Sequence, residues 1–176
     1  MNQPGPLAPE ALEVRRADLS DRPLLEGFSC SRGEEWEDEV EAHIREDLLD
    51  LIGGTDTDHR VILVLHEGRL LAVGAHATEA VLVVPNDLMP MIRLHLLAIT
   101  VEDQGRRLDD GSPLADALFA ATATDALETW GGFPLTAIVA RENFRSIAVL
   151  ERNGRFSQVR HGLDHIRMTG SFAPQE

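Results

Sequence analysis

A short β-type run is followed after two residues by a helix with end signals at both termini, and this order constrains the fold strongly. The run is LTAIVA at residues 135–140, and the helix lies within ENFRSIAVLERNGRF at residues 142–156. Asn143 is a favoured N-cap, because its side-chain oxygen accepts a hydrogen bond from the first turn. Gly154 is expected to take the left-handed turn that ends the helix. Phe156 is expected to begin a new strand, so the sequence predicts a strand–helix–strand unit.

The rest of the chain places this unit in a mixed α/β sheet with helices on both faces. A hairpin is predicted at Glu67-Gly68, and the AVLVV run after it extends the second arm or adds another strand. Glycine pairs at 53–54 and 131–132 are expected to end two helices, and Pro85-Asn86 to break a strand. Strands are predicted at residues 11–17, 80–84, 91–101, 135–140, 156–160 and 163–168, and two strands joined by the hairpin within 60–77. Helices are predicted at 34–52, 113–130 and 143–154, and a turn with a short helix at 18–28.

Length and charge limit the classes of function. The 176 residues favour one domain, expected at residues 11–170 between flexible tails at 1–10 and 171–176. A net charge of -14 argues against nucleic acid as a partner, because phosphate contacts need Lys and Arg. The acidic field suits a cationic small molecule or only keeps the protein soluble. The acidic face of the helix at 34–52 is likewise solvated or a docking surface for a basic partner.

Cysteine content and hydropathy predict a cytoplasmic protein. Cys30 is the only cysteine, so no intrachain disulfide can form. No apolar run reaches the length of a membrane span, and the first residues lack a signal pattern. No metal site is predicted, since no histidine spacing fits zinc. No serine or cysteine nucleophile is indicated either.

Residues 94–156 resemble the GNAT superfamily of acyl-CoA-dependent N-acetyltransferases. The likeness rests on LHLLAITVEDQGRR, on the helix that follows Ser112-Pro113, on LTAIVARENFRSIAVLERNG and on the closing strands. The last helix fits the family pattern N-x-x-S/A-I-x-x-L/Y-E-K/R-x-G-F at Asn143, Ser146, Ile147, Leu150, Glu151, Arg152 and Gly154. The resemblance implies a GNAT-like, mostly antiparallel sheet of six to seven strands. Its fourth strand would bulge and splay from the fifth, with the pantetheine arm of acetyl-CoA in the gap.

The resemblance also implies a loop with the pattern Q/R-x-x-G-x-G/A, whose amides bind the cofactor pyrophosphate at a helix N-terminus. Gln104 and Gly105 match this loop, but Arg107 stands where the first glycine is expected. One interpretation is a displaced anion site near Gly111, with nearby arginines supplying charge; the other is that these arginines only offset aspartates on a solvated loop. The implied cofactor-binding residues are Ala98, Ile99, Thr100, Gln104, Gly105, Arg106, Arg107, Gly111, Ser112, Asn143 and Ser146.

Several residues are candidates for moving the proton of the acceptor amine, which must be neutral to attack. His95 and Glu102 lead, and Asp103 beside Glu102 and the hairpin histidines His66 and His76 are the others. His95 lies on the predicted central strand, and a histidine titrates near neutral pH. Glu102 lies at the end of that strand, by the mouth of the cleft. Each has a structural alternative, because a strand histidine is often a hydrogen-bonded filler and an acidic residue often only ends a strand in solvent.

The sequence departs from the family at two further positions. It contains no tyrosine, and Leu150 stands where many members have a tyrosine that protonates the departing thiolate. Transfer does not require this acid, because a thiolate is a tolerable leaving group near neutral pH. Arg155 is inserted before Phe156 and is expected to shift only the strand that follows.

Three functions remain open from the sequence. The leading hypothesis is a bacterial-type N-acetyltransferase that transfers the acetyl group of acetyl-CoA to an amine of a small molecule or peptide by direct attack, with a homodimer common in such proteins. The second is a non-catalytic acyl-CoA-binding or regulatory protein, suggested by the missing tyrosine and altered loop. The third is a structural α/β domain that binds no cofactor.

Overall fold

The computed structural model describes residues 7–53, 58–84 and 87–172. The helices of these residues are α1 (Arg22–Glu26), α2 (Glu35–Gly53), α3 (Leu114–Trp130) and α4 (Phe144–Gly154). The strands are β1 (Leu12–Arg16), β2 (His59–His66), β3 (Arg69–Val84), β4 (Asp87–Ile99), β5 (Leu135–Ala140), β6 (Ser157–His161) and β7 (His165–Gly170). Short 3-10 turns occupy Pro9–Ala11, Leu19–Asp21 and Val101–Asp103. The AVLVV run belongs to β3, so it extends the arm of the hairpin.

All seven strands form one sheet in the order β1-β2-β3-β4-β5-β7-β6. The β4–β5 pair is parallel and the other pairs are antiparallel. Glu67 and Gly68 both have positive φ at the predicted β2–β3 hairpin, as a two-residue turn of this hand requires. The predicted mixed, mostly antiparallel sheet is therefore confirmed.

Helices cover both faces of the sheet. α1 and α2 pack on one face over apolar residues of β2, β3 and β4. α3 and α4 cover the other face, where Phe119 and Leu150 pack against residues of β4, β5 and β7. α3 also packs on β2 and β3 through Leu114 and Leu118, so it spans both halves of the sheet. Gly74 permits this close approach, since a Cβ atom there would lie 2.0 Å from Thr122 Oγ1.

The sheet opens between β4 and β5. These strands pair only at Ile92–Leu135, Arg93–Thr136 and Leu94–Ala137, although both continue for several residues. On the β3 side the register passes from the His76–Leu94 pair to the Ala75–Leu96 pair. His95 is thus the extra residue of a β-bulge at the point where the two strands separate.

The N-terminal end of α4 agrees with the prediction and its C-terminal end does not. Asn143 caps α4 as predicted, because its Oδ1 atom accepts a hydrogen bond of 3.0 Å from the Ser146 N–H. Gly154, however, is the last helical residue, and Arg155 takes the left-handed position with φ 48°. Gly154 is needed for packing instead, since an added Cβ would lie 2.3 Å from the Phe156 ring.

The N-terminal end of α3 also lies one residue later than its sequence signal. Pro113 occupies the N-cap position, and Ser112 makes no capping hydrogen bond to the helix. The Ser112 side chain is drawn back instead, because its hydroxyl and its N–H both donate to Asp110 Oδ1. At the other end, Gly131 ends α3 as predicted, with φ 79° and its N–H donating to Leu127.

Parts of both predicted tails are packed. Leu7 is 2% exposed and exchanges backbone hydrogen bonds with residues 107 and 109. Phe172 packs on Phe119 with ring centroids 5.5 Å apart. The predicted tail residues 1–6 and 173–176, the strand break at Pro85-Asn86 and Gly54 of the predicted helix stop lie outside the described residues. No helix among the described residues has the length and apolar character of a membrane span.

Candidate functional site

The gap between β4 and β5 is a cavity of about 550 Å³. One wall is β4 from Leu94 to Ile99, and the opposite wall is β5 from Ala137 to Ala140. The N-terminal part of α2 lies on one face of the sheet and the first turns of α3 and α4 on the other. The cavity therefore passes through the sheet, from the bulge at its inner end to the 3-10 turn after β4 at its outer end.

His95 lies at the inner end, on the face covered by α2. Its Nε2 atom is 2.7 Å from His43 Nε2, and His43 Nδ1 is 2.7 Å from Asp47 Oδ2. Burial, the nearby Arg93 and the neighbouring histidines His43 and His59 lower the pKa of His95 to about 4. His95 is therefore neutral at pH 7, and a neutral imidazole can accept a proton.

The outer end of the cavity is formed by the turn that follows β4. Gln104 fixes this turn to the neighbouring loop, because its Nε2 atom donates to the Cys30 carbonyl at 2.7 Å. Gly105 has φ 83°, a backbone conformation that a side chain would disfavour. Arg145 of α4 reaches the same place and donates to Gln104 Oε1 at 3.3 Å. A backbone turn, the first turn of α3 at Ala115 and the Arg145 guanidinium thus converge at the cavity mouth, and Arg32 is a second arginine in the lining.

Asp103 stabilises this turn through hydrogen bonds to its carboxylate. Its buried carboxylate accepts two hydrogen bonds from Arg69, at 2.6 and 3.0 Å, and one each from Arg106 and Thr100. Burial alone would raise the pKa of Asp103, but the hydrogen bonds from these donors outweigh it and lower the pKa to about 2. The ionised carboxylate is therefore a structural anchor for residues 104 and 105.

α4 forms the remaining wall. Asn143 and Ser146 line the cavity, and Leu150 lies deeper, 2% exposed. Asn143 Oδ1 accepts the cap hydrogen bond, and the Nδ2 group is a donor for a molecule in the cavity. Leu150, which stands at the position of the expected tyrosine, presents an apolar surface to the cavity.

The structure brings seven of the predicted site residues together around the cavity. They are Ala98, Ile99, Gln104, Gly105, Asn143 and Ser146 of the predicted cofactor set, and His95 of the predicted catalytic pair. Six others lie outside the lining, namely Thr100, Arg106, Arg107, Gly111, Ser112 and Glu102. The Glu102 side chain is 83% exposed and 3.6 Å from Arg69, so it faces solvent beside the ion pair rather than the cavity.

The residues before α3 form a turn closed on itself. The Gly111 N–H donates to the Leu108 carbonyl, and Arg107 donates to the Gly111 carbonyl at 2.6 Å. Arg106 is directed inward to Asp103, where its side chain is 11% exposed. The predicted displaced anion site at Gly111 and Ser112 stays a prediction, and Gly105 is the glycine that borders the cavity.

Sequence reasoning missed Arg145 and His43. Arg145 is the second residue of a helix that the sequence pattern had already identified. Only the face of the helix on which it lies could have indicated that its charge reaches the cavity. His43 lies 52 residues from His95, so no spacing in the sequence could connect them. Among the described residues, no group of three or more His, Cys, Asp or Glu side chains is arranged to hold a metal ion.

Comparison with known proteins is informative at the level of structure. No family model and no curated protein sequence matches the chain. The N-acetyltransferase PaiA from Thermoplasma acidophilum, solved with coenzyme A, superimposes with a TM-score of 0.66 at 14% identity over 92% of this chain and 99% of its own. A protein from Desulfovibrio desulfuricans assigned to the GNAT acetyltransferases gives 0.61 at 21% identity, over 93% and 100%.

A third similar structure is a spermidine N-acetyltransferase, a chimera of Vibrio cholerae SpeG and hSSAT. It gives a TM-score of 0.61 at 18% identity, over 92% of this chain and 95% of that one. At these low identities, the TM-scores show that the chain shares the fold of these proteins.

Proposed function

We propose that this chain, which has the fold of the GNAT N-acetyltransferases, transfers the acetyl group of acetyl-CoA to an amine. The observation that carries the proposal is the cavity itself: two strands separate at a neutral histidine and open toward a turn with amide groups and a cation. One end suits a reacting thioester and the other suits phosphates. A through-sheet cleft of this kind fits a long ligand with different chemistry at its two ends.

The middle of the cleft fits the pantetheine arm. Beyond Leu94, none of the described residues pairs with β4 on its β5 side, so one edge of its backbone faces the cavity. An extended chain with amide groups can hydrogen-bond to such an edge in the manner of an added strand. The Nδ2 donor of Asn143 would add a contact from the opposite wall.

The outer end fits the pyrophosphate of the cofactor. Gly105 brings backbone close to the cavity without a side chain, and Ala115 lies in the first turn of α3, at the positive end of the helix dipole. Arg145 provides the positive charge, with the helix dipole acting in the same sense. This assignment places the phosphates at Gly105 rather than at Gly111.

The reaction needs a base and a leaving group. The amine nitrogen attacks the thioester carbon, the C–S bond breaks, and coenzyme A leaves with the electron pair on sulfur. We assign proton removal to His95 rather than Glu102, because His95 borders the cavity and Glu102 faces solvent. The leucine at position 150 does not prevent this step, because the thiolate leaves without prior protonation and needs no acid there.

A second candidate function is a non-catalytic acyl-CoA-binding protein. The observation that favours it is the apolar side chain of Leu150 in the wall of the cavity, at the place of an expected acid. Such a protein would keep the cofactor cleft and lack turnover.

Two measurements separate these functions. Calorimetric titration with acetyl-CoA is expected to show binding, and free-thiol release across a panel of amines is expected to show turnover by at least one of them. His95→Gln should keep acetyl-CoA affinity and lower kcat by about 100-fold, while the matched variant His66→Gln, outside the cavity, should change neither. No binding at millimolar acetyl-CoA would refute both functions, and binding without thiol release would leave the non-catalytic one.

A further inference from the structure

We propose that His95, His43 and Asp47 form a proton relay that connects the inner end of the cavity to solvent along α2. The inference rests on the proposed function, since it assigns the route by which the acceptor amine loses its proton. His43 and Asp47 do not line the cavity and act only through His95.

The direction of the hydrogen bonds follows from the chemistry of the groups. An ionised carboxylate only accepts, so His43 Nδ1 carries a hydrogen and donates it to Asp47. The Nε2 atom of a neutral His43 is then an acceptor, and His95 Nε2 must carry the hydrogen between the two rings. This leaves His95 Nδ1 with a free electron pair to accept a proton.

The surroundings of His95 explain why a relay is useful. Arg93 on its own strand, His59 on β2 and His43 on α2 disfavour a positive charge on the ring, in addition to burial. A His95 that had to hold the proton would therefore be a poor base. When Nδ1 accepts a proton while Nε2 releases one to His43, the positive charge does not remain on His95.

The relay ends in water. The His43 side chain is 28% exposed and the Asp47 side chain 67% exposed, so the proton moves from a half-buried ring to an open carboxylate. Because residues 43 and 47 are one turn apart on α2, the helix itself fixes this spacing.

The protons balance over one turnover. An ammonium acceptor gives one proton to His95 Nδ1, the Nε2 hydrogen passes to His43, and the Nδ1 hydrogen of His43 passes through Asp47 to water. After attack, the intermediate loses its second nitrogen proton to water. After the C–S bond has broken, the free thiolate takes the proton of His95 Nδ1–H, and a proton entering from water at Asp47 restores both tautomers. Sulfur gains one proton, solvent gains one, and the nitrogen loses two.

Variants at His43 test the relay. His43→Gln can still hydrogen-bond to His95 but cannot pass a proton, so kcat should fall about tenfold or more with both KM values within about twofold. His43→Ala should show a similar loss, and added imidazole should restore most of it. Asp47→Asn should lower kcat less, because water can replace the terminal carboxylate. The control Asp50→Asn, an exposed acid on the same helix, should leave kcat unchanged.

A spectroscopic measurement tests the relay without turnover. In ¹⁵N-labelled free protein at pH 7, His95 should be the Nε2–H tautomer and His43 the Nδ1–H tautomer, with a scalar coupling across the bond between them. An Nδ1–H tautomer of His95, or unchanged kcat in His43→Gln, would overturn the relay. Loss of activity on chelation would overturn it as well, in favour of a bridging metal. If no amine is acetylated at all, the proposed function fails separately, and the tautomers alone decide whether the relay is present.

Discussion

Replacing Asp103 with Asn should destabilise the protein and change how its stability responds to acid. The buried carboxylate accepts hydrogen bonds from Arg69, Arg106 and Thr100. Asn is nearly the same size and keeps one oxygen. It loses the negative charge, however, and turns an N–H₂ group toward two guanidinium groups. The substitution therefore isolates the charge from the packing.

The magnitude follows from the pKa. The Asp103 pKa is about 2 in the folded protein against 3.8 for the unfolded chain, a difference worth about 2.5 kcal/mol at pH 7. Breaking a buried pair costs about 3–5 kcal/mol, and the half-exposed Arg69 can regain water, so we expect about 3 kcal/mol. The folded pKa is the lower one, so this stabilisation is complete above about pH 5 and is lost as the pH falls from 3.8 toward 2.

Urea unfolding at pH 7, 5, 4 and 3 provides the assay. The difference between wild type and Asp103→Asn should be about 3 kcal/mol at pH 7 and should shrink by about 1 kcal/mol between pH 5 and pH 3. Glu102→Gln is the matched control, because Glu102 also approaches Arg69 but is 83% exposed, and it should change stability by less than about 0.5 kcal/mol. A difference that stays constant down to pH 3 would show that the charge is not the cause.

Three further substitutions test the cofactor cleft and its support. Asn143→Asp keeps the cap but replaces the Nδ2 donor, so the melting temperature should stay near wild type while calorimetry shows acetyl-CoA affinity lower by about 1 kcal/mol; unchanged affinity would leave Asn143 as a cap alone. Gly154→Ala should lower the unfolding free energy by about 1–3 kcal/mol despite the better helix propensity of alanine, whereas Gly132→Ala, with nothing within 4 Å, should not; a stabilised Gly154→Ala would disprove the packing role. Gly105→Ala and Gly111→Ala carry the same backbone strain, because the two glycines have φ 83° and 84°. Only Gly105→Ala should lower the affinity for coenzyme A more than the affinity for pantetheine; the opposite result would place the phosphates at Gly111.

Periodicity and turn residues predicted the elements well, because their causes are local. The helix at 143–154 and the hairpin at Glu67-Gly68 depend on contacts between residues close in sequence. Individual glycines were harder to interpret. Gly154 has the residue type of a left-handed helix end, yet the ring of Phe156 requires its small size and Arg155 takes the turn. The sequence does not distinguish a glycine needed for conformation from one needed for space.

The site was predictable only where one segment forms it. Gln104 and Asn143 belong to patterns that a single stretch carries, and both line the cavity. The bulge that turns His95 toward α2 is a register shift between two strands, so neither strand alone indicates it. The sequence likewise does not distinguish the roles of Arg106 and Arg107. Arg106 donates to the buried carboxylate of Asp103, and Arg107 donates to the backbone carbonyl of Gly111 in its own loop.

The opening between β4 and β5 also affects how the molecule unfolds. Among the described residues, three residue pairs are the only strand-to-strand link between the four-stranded half of the sheet and its three-stranded half. α3 holds the two halves together, because its apolar side packs on strands of both halves. We therefore expect partial opening that releases β5, β6 and β7 together to cost less free energy than separation of β2 from β3. A molecule bound to both edges of the gap would join the two halves into one cooperative unit. It should therefore slow amide exchange along β7, although His165 is the one described residue of that strand that lines the cavity.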